Sequence, residues 1–352
     1  MQLNRILGVI VLLIFSWTDG QAQDFHYSQF YNAPVYTNPA LTGVFDGDVR
    51  IQGNLRHQWS LTPVDYRTYS VMVDKKFLNR MYKSSFFAAG LGLNFDRAGD
   101  GELSWFDLNL NGSFTKYLSD GVFISLGGQA RFAQRSFEEA GLRFADQFDR
   151  DRGVFNGNNL TSERFGNTSH GFLDLGIGLN FHWQTLDRYQ RYDYKEERSK
   201  LDVGVALFHL TQPDQGFIED TEVPIMRRLS LYARGVLQLG SDIDLAAGLT
   251  LQRQGPYREN VAMGGLRFHL NRKPGKQLAL QGGIGYRWDE IGDAFFPTIQ
   301  LHYNAWRVGL SYDVNISDFN IVTNRDGGPE LSIRYIFKKV RPVPSRRFCP
   351  II

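Results

Sequence analysis

The sequence predicts an all-β protein that forms a transmembrane antiparallel β-barrel of about 14 strands. Apolar residues alternate with small or polar residues, as in Leu201–Leu210, Leu278–Tyr286 and Trp306–Tyr312, which is the side-chain period of a β-strand. Glycine (36 residues) and aromatic residues (14%) are abundant, as in sheets that bend tightly. After Trp17 the chain contains no apolar run long enough for a membrane-spanning helix.

The first residues are predicted to be a secretory signal peptide, 1–22. Arg5 precedes the apolar run Ile6–Trp17, and Gly20–Ala22 has the small-x-small pattern of a cleavage site. The apolar run is shorter than the roughly 20 residues that a membrane-spanning helix needs. We therefore expect the mature chain to begin near Gln23, outside the cytoplasm. A retained membrane anchor is the less favoured alternative.

Composition excludes several classes of protein. The net charge is +2 with 22% charged residues, so no bulk charge indicates nucleic-acid binding. Cys349 is the only cysteine, so a secreted chain of this length must be stable without an intrachain disulfide. No part of the mature chain has a distinct composition, which indicates one domain.

The predicted strands begin with Val49–Trp59 and end with Glu330–Phe337, within a barrel domain of residues 47–337. Fourteen is an even number, as in bacterial single-chain outer-membrane barrels. Each strand has an apolar face and a small or polar face. A soluble barrel or sandwich would bury the apolar face, whereas a membrane barrel turns it toward lipid and lines its lumen with the polar face. Alternation alone leaves both arrangements open.

The connections between the strands are either short or long. Membrane barrels likewise have short periplasmic turns and longer outer loops. The short or basic ones are Ser119–Asp120, Ser241–Asp242, Asn271–Lys276 and Asn304–Ala305, and the long ones are Ser136–His170, Thr211–Met226 and Asn315–Gly328. Asp187–Ser199 is long and of mixed charge although it lies at the predicted end of the barrel where the other connections are short. It is either a periplasmic extension that meets a partner or a solvated loop.

Charge differs between the two sides. Thr211–Met226 contains Asp214, Glu219, Asp220 and Glu222 and no base, whereas Asn271–Lys276 contains three bases and no acid. The predicted periplasmic tail, 338–352, has five bases and no acid: Lys338, Lys339, Arg341, Arg346 and Arg347. We predict that the tail and the basic turns contact a periplasmic partner, and that the acidic outer loops hold or guide a secreted substrate.

No catalytic or cofactor-binding motif is visible. The sequence has no Gly-x-Ser-x-Gly elbow, no His-Glu-x-x-His pair and no P-loop. Asp146, Asp149 and Asp151 could supply oxygen ligands to calcium, but Arg150 and Arg152 lie between and beside them, which favours a solvated loop. We expect a non-enzymatic protein without a catalytic site, a metal site or a cofactor.

Motifs near both ends resemble the PorP/SprF family of outer-membrane proteins. At the start they are Tyr27-Ser28-Gln29, Asn38-Pro39-Ala40-Leu41-x-Gly43 and, within Arg56–Trp59, Gln58-Trp59; near the end they are Gly282–Arg287, Ser311-Tyr312-Asp313 and Gly328–Phe337. The resemblance covers essentially the whole mature chain. It implies an outer-membrane barrel tied to the type IX secretion system of Bacteroidota, and in some members to gliding motility. The implied partners are the periplasmic lipoprotein ring of that system or a dedicated surface adhesin.

Residues 23–46 are predicted to be a lead-in segment that folds against the periplasmic mouth or into the lumen. Asn38-Pro39 is a turn starter. A flexible terminal arm is less favoured because the segment is rich in apolar and aromatic residues: Tyr27, Phe30, Tyr31, Tyr36 and Leu41.

Together these features predict an outer-membrane accessory of type IX secretion or gliding that docks periplasmic components and helps to export or anchor a surface protein. A general porin or small-solute channel is the main alternative. A secreted soluble β-sandwich is the third possibility, and it would have no contact with outer-membrane lipid.

Overall fold

The protein is described here by a computed structural model over residues 24–59, 65–78, 85–99, 101–139, 142–149, 152–155, 167–185, 188–190, 193–195, 198–217, 222–273, 275–289, 292–317 and 323–338. Within these ranges the chain forms a closed antiparallel barrel of 14 strands. This confirms the predicted fold class. The predicted signal peptide and residues 339–352 of the predicted tail lie outside the described ranges.

The barrel strands follow one another along the chain. They are β1 (Val49–Gln58), β2 (Tyr66–Leu78), β3 (Ser85–Ala98), β4 (Leu103–Ser119), β5 (Val122–Ser136), β6 (Ser169–Gln184), β7 (Lys200–Phe208), β8 (Arg228–Gln238), β9 (Ile243–Gln254), β10 (Tyr257–Asn271), β11 (Leu278–Trp288), β12 (Gly292–Tyr303), β13 (Trp306–Asn315) and β14 (Asp326–Phe337).

Each strand pairs with the strands before and after it in the sequence, and β1 closes the barrel by pairing with β14 from Val49↔Phe337 to Arg56↔Glu330. Closure leaves no edge strand whose backbone groups lack partners. In the hydrocarbon core of a membrane this is essential, because no water is present there to satisfy them.

The outer surface of the barrel is apolar and the lumen is polar. In β3, Leu91, Leu93 and Phe95 face outward and are 46%, 43% and 42% exposed, whereas Asn94 faces the lumen and is 1% exposed. The same alternation covers the other long strands. A soluble protein would not expose so large an apolar band. The arrangement is therefore the membrane barrel, in which the apolar face contacts lipid.

The two ends of the barrel differ in their connections. Residues 120–121, 239–242 and 304–305 make short turns at the end where β1 begins and β14 finishes, and the longest connections, 137–168 and 209–227, lie at the opposite end. Membrane barrels have short periplasmic turns and longer outer loops. We call the first end the periplasmic end and the second the outer end.

A short pair of strands lies in one connection at each end of the barrel. Arg188–Gln190 pairs with Asp193–Lys195 in the connection between β6 and β7 at the periplasmic end. This is the connection predicted to be long and mixed in charge. At the outer end, Phe148–Asp149 pairs with Val154–Phe155.

Strand β14 begins at Asp326, earlier than the predicted Glu330. The sequence Gly327-Gly328-Pro329 favours a loop because proline cannot donate a backbone hydrogen bond to the ladder. The strand nevertheless continues through an irregular register opposite Asp313 and Val314, with Gly328 at φ +97°. No helix in the described ranges is long and apolar enough to cross a membrane.

Candidate functional site

The N-terminal segment, residues 24–44, lies inside the barrel. It contains a 3-10 turn (Phe30–Asn32), one short helix, α1 (Pro34–Thr37), and a second 3-10 turn (Pro39–Leu41). Nearly every residue from Asp24 to Val44 is buried. We call residues 24–44 the plug. It begins near the outer end, beside residues that start β8 and end β9, and it leaves the lumen at the periplasmic end, where β1 starts.

Ser28 and Gln29 attach the plug to the last two strands. The backbone N–H groups of Ser28 and Gln29 donate to the two carboxylate oxygens of Glu330, over 2.8 and 3.0 Å. The Ser28 hydroxyl donates to Asp313 over 2.7 Å, and the Gln29 amide donates to Ser311 over 3.0 Å. Hydrogen bonds to charged acceptors are the stronger ones in proteins. The motif near the start of the chain thus binds the motif near its end.

Asp313 is shared between the plug and two arginines. Arg56 and Arg287 each approach the same Asp313 oxygen to 3.0 Å, and all three side chains are almost fully buried. Arg56 also donates to the backbone carbonyl of His26 over 2.7 Å. A buried carboxylate needs such partners, because desolvation without them is costly. Asp313 therefore fixes β1, β11 and the plug together.

Asn38 attaches the middle of the plug to the opposite wall. Its amide nitrogen donates to the backbone carbonyls of Leu179 and Val205, and its side-chain oxygen accepts from the N–H of Ala40. Glycine in the wall makes this contact possible. A Cβ on Gly178 would lie 2.0 Å from the Asn38 side-chain oxygen, and one on Gly127 would lie 2.3 Å from the Ala40 nitrogen.

The lower end of the plug is held at the start of β1. Arg50 and Asp74 form a buried ion pair at 2.7 Å. Asp74 also accepts from the N–H of Gly43, and Arg50 donates to the carbonyl of Leu41. Because both side chains bind the plug backbone, its exit from the lumen is fixed by two adjacent strands.

Aromatic packing fills the space between the plug and the wall. Phe25 lies edge-on to Trp105 with ring centroids 5.4 Å apart, and Tyr27 lies 5.9 Å from Tyr36. Phe30 packs against a second cluster on β10 and β12, which consists of Val261, Met263 and Phe296. Such aromatic pairs add specificity beyond the apolar area that they bury.

A buried charge cluster surrounds the first described residue, Asp24. Arg131 lies 3.4 Å from Asp24, 3.1 Å from Asp107 and 3.4 Å from Asp174. His209, which is fully buried, places one ring nitrogen 3.0 Å from Asp24 and the other 2.8 Å from Asp174. Arg228 lies 3.4 Å from Asp24, so two arginines and His209 face the three carboxylates of this cluster.

Above the plug the lumen opens into an outer vestibule of about 740 Å³. Its floor is Asp24, Phe25 and His26. Its walls carry arginine, aromatic and acidic side chains, among them Arg56, Arg135, Arg287, Trp59, Trp288, Asp96 and Glu259. Arg135 lies over the ring of Trp105 at 4.5 Å. Arginine and tryptophan are the residues that most often dominate protein-binding energy. The vestibule thus lies at the outer end of the barrel, and the start of the plug bounds it from below.

The sequence-predicted site residues fall into three groups. Ten lie in the lumen in or against the plug: Tyr27, Ser28, Gln29, Asn38, Pro39, Ala40, Leu41, Gly43, Ser311 and Asp313. Gln58 and Trp59 lie at the outer end of β1 and line the vestibule. Tyr312 and the tail residues make up the third group.

Tyr312 faces the membrane at 41% exposure, and its hydroxyl donates to Asp326 over 2.7 Å. Lys338 pairs with Asp46 at the periplasmic end. Lys339, Arg341, Arg346 and Arg347 lie outside the described residues. The structure therefore joins the two motifs through Ser28, Gln29, Ser311 and Asp313.

The sequence did not single out the wall charges that hold the plug. Glu330, Arg50, Asp74, Arg131 and His209 were not predicted as site residues. One sequence feature could have indicated them, namely charged residues at inward positions of the barrel strands. A buried charge needs a partner, and at an inward position that partner must come from within the lumen. Which partners they find depends on the plug path. In the described ranges, no group of histidine, cysteine and acidic residues could hold a metal ion.

Comparison with solved structures gives distant similarity. The Pseudomonas putida toluene transporter TodX aligns with a TM-score of 0.49 at 11% identity, over 90% of this chain and 98% of that chain. The Ralstonia pickettii toluene transporter TbuX aligns with 0.47 at 10%, over 87% and 94%. CdiB from Escherichia coli aligns with 0.46 at 8%, over 83% and 63%.

Sequence comparison is more specific. A search of curated proteins finds no match. A family model described as "Type IX secretion system membrane protein PorP/SprF" matches residues 19–335, which include the plug and reach into the last strand. A closed barrel with an apolar outer surface is a form in which proteins cross the bacterial outer membrane. The chain therefore belongs to the PorP/SprF family of type IX secretion system membrane proteins, and it is an outer-membrane β-barrel.

Proposed function

We propose that the protein is a non-enzymatic accessory of type IX secretion that docks periplasmic components and helps to export or anchor a surface protein. The plugged lumen is the observation that carries this proposal. A barrel whose lumen is occupied by its own N-terminal segment offers two separate faces, one toward the periplasm and one toward the exterior, and it can connect partners on both sides.

The plug also argues against a general porin. Porins keep an aqueous channel open through the lumen. Here the plug is bonded to opposite parts of the wall, through Asn38 on the β6–β7 side and through Ser28 and Gln29 on the β13–β14 side. A segment bonded to opposite walls is expected to stay in the lumen.

The periplasmic end supplies the proposed docking surface for the secretion machinery. Arg272, Lys273 and Lys276 are exposed in the turn between β10 and β11, and Lys338 begins a tail that contains no acid. Basic residues on a rim steer an acidic partner and set the rate of association more than the final affinity. The partner proposed is a periplasmic component of the type IX system with an acidic surface.

The outer vestibule supplies the proposed site for the surface protein. The plug at its floor would stop an entering polypeptide segment, and its tryptophans and charged side chains would bind apolar and polar groups of that segment. The acidic connection 209–227 lies at the same end. The vestibule therefore suits a guide or anchor for a polypeptide better than a passage for small solutes.

Two measurements test this proposal. Truncation after Phe337 should reduce co-purification with periplasmic secretion components, and Arg97→Gln at the outer end serves as a control that leaves it unchanged. Export of surface proteins should fall in the double variant Trp59→Ala/Trp288→Ala at equal barrel abundance. If both variants leave complexes and export intact, the docking proposal is wrong.

Planar-bilayer recording separates the accessory from the porin. The full chain should show little conductance, whereas a variant lacking residues 24–43 should show large steps if its barrel still assembles. Assembly is checked by the heat-dependent gel shift of folded barrels. A stable, porin-like conductance of the full chain would favour a channel.

A further inference from the structure

The periplasmic half of the lumen, below the plug, is lined by cationic side chains. Five cationic side chains face it from inward positions near the periplasmic ends of five strands: Lys200 on β7, Arg234 on β8, Arg267 on β10, Arg307 on β13 and Arg334 on β14. We call this space the basic chamber. It is distinct from the outer vestibule, because the plug lies between them.

The five cations converge on one region. Arg307 and Arg334 are directly opposite each other in the β13–β14 pairing, and Arg267 and Arg234 lie within electrostatic range of Arg307. Lys200 lies within range of Arg307, Arg267 and Arg334, although it comes from the opposite wall. Like charges held this close in a lumen repel one another, so the chamber has a strong positive potential.

The carboxylates of the chamber do not neutralise it. Asp202 pairs with Arg234 at 3.2 Å and also with His182. Asp244 binds Arg198 at 2.9 Å and His269 at 2.6 Å, and only its more distant contact of 3.9 Å reaches Arg267. Among the side chains that the structure describes, none forms an ion pair with Lys200, Arg307 or Arg334.

The chamber also presents hydrogen-bond donors without acceptors. Arg307 donates to Nδ1 of His302 over 3.2 Å, so that nitrogen is an acceptor and the His302 proton is on Nε2. The Nε2 atom is buried and has no hydrogen-bond partner within the described part of the chain, and the same holds for the amide nitrogen of Gln300 on the same strand. Buried donors of this kind normally have partners. Unmatched cations and unmatched donors together indicate an anionic ligand.

The chamber is open toward the periplasm and closed toward the exterior. Lys200, at the periplasmic start of β7, is exposed, and Arg267, Arg307 and Arg334 are partly exposed. Tyr31 of the plug, whose hydroxyl lies 3.2 Å from that of Thr298, bounds the chamber from above. A ligand must therefore enter from the periplasmic mouth and stop at the plug.

We propose that the basic chamber binds an acidic polypeptide segment inserted from the periplasm. A polypeptide fits better than a small anion, since the cations are distributed over five strands around half of the wall and a single small anion would reach few of them. The positive charge also continues outward to Lys273 and Lys276 in the exposed turn, where Arg272 pairs with Asp242 at 3.1 Å. That continuity would guide a chain with several carboxylates from the rim inward.

This inference goes beyond the proposed docking at the rim and tail, and its test needs no secretion partner. The full chain is placed in nanodiscs of phosphatidylcholine, and binding of fluorescein-labelled octaglutamate is followed by fluorescence anisotropy. Binding is measured at about 0.05 M and about 0.5 M salt, because screening should weaken it. Octalysine with the same label serves as the charge-reversed probe.

The double variant Arg307→Gln/Arg334→Gln should bind octaglutamate at least about tenfold more weakly. The charge-retaining variant Arg307→Lys/Arg334→Lys should stay within about threefold of the original protein. The rim variant Arg272→Gln/Lys273→Gln should lose less than the chamber variant. Folding of the glutamine variant is expected, since it removes like-charge repulsion, and the heat-dependent gel shift checks it.

Three outcomes would overturn the proposal. The chamber variant could bind octaglutamate as well as the original protein does. Only the rim variant could lose binding, which would move the site to the surface turn. Inorganic phosphate could bind with the same dependence on Arg307 and Arg334 while octaglutamate does not bind, which would make the chamber a small-anion site.

Discussion

The hydroxyl of Ser28 donates a 2.7 Å hydrogen bond to the carboxylate of Asp313, across 285 positions of sequence. The bond joins a segment that precedes the first strand to the next-to-last strand. The plug can therefore acquire its full set of contacts only when β13 and β14 are in place. We expect the plug to dock late in assembly, as the barrel closes.

Gly178→Ala is expected to displace the plug. A Cβ at this position would lie 2.0 Å from the Asn38 side-chain oxygen, and overpacking of this kind typically costs about 1–3 kcal/mol. Conductance through the barrel should increase and protease should reach residues 24–43. Gly112→Ala is the matched control, because a Cβ there meets nothing within 4 Å. Equal conductance in both variants would show that the plug does not depend on this contact.

Glu330→Gln is expected to weaken plug docking without unfolding the barrel. Glu330 accepts the backbone N–H groups of both Ser28 and Gln29. Glutamine has one side-chain oxygen, so one buried N–H would lose its acceptor, at a cost of about 1–3 kcal/mol. Hydrogen exchange at residues 27–32 should rise. Asp120→Asn, in the exposed turn between β4 and β5, should leave it unchanged; a similar rise there would point to a nonspecific effect.

Plug docking should weaken in strong acid. Burial would raise the pKa of Asp24, but Arg131, Arg228 and His209 outweigh it and hold that pKa well below the usual 3.8. A carboxylate with a depressed pKa in the folded state stabilises that state above its unfolded pKa and loses this stabilisation as the pH falls through the folded pKa. Asp24 should therefore contribute fully at neutral pH and progressively less below about pH 4.

Hydrogen exchange of the plug, corrected for intrinsic rates, measures this contribution. The protein and its Asp24→Asn variant should differ most near neutral pH, and the difference should shrink as the pH falls below about 4. A difference that stays constant down to about pH 2 would mean that the Asp24 charge does not hold the plug.

The start of the plug should be accessible from outside the cell, although β1 begins at the periplasmic end. His26 lines the outer vestibule, and its backbone carbonyl accepts a hydrogen bond from Arg56, which a substitution of the side chain leaves in place. In a Cys349→Ser background, His26→Cys should react with a membrane-impermeant maleimide on intact cells. Asp46→Cys, at the periplasmic end and 85% exposed at its side chain, should react only after the outer membrane is opened. The reverse pattern would invert the orientation.

The sequence alone determined the barrel. The strand period is local, because successive side chains point to opposite faces whatever the rest of the chain does. The 14 strands could therefore be predicted from short stretches such as Trp306–Tyr312, and the two ends of the barrel from the lengths of the connections between strands. The start of β14 was misjudged because Gly327-Gly328-Pro329 has the local composition of a loop, and only pairing with β13 extends the strand there.

Only the tertiary structure decided what the lumen contains. The contacts of Ser28 with Asp313 and of Asn38 with the carbonyls of Leu179 and Val205 join distant parts of the chain, and no periodicity in the sequence reports them. The same holds for the basic chamber, since Lys200 and Arg334 face the same lumen only because the barrel closes. Period and composition are local properties, whereas the pairing of charges across a lumen depends on register, closure and the path of the plug.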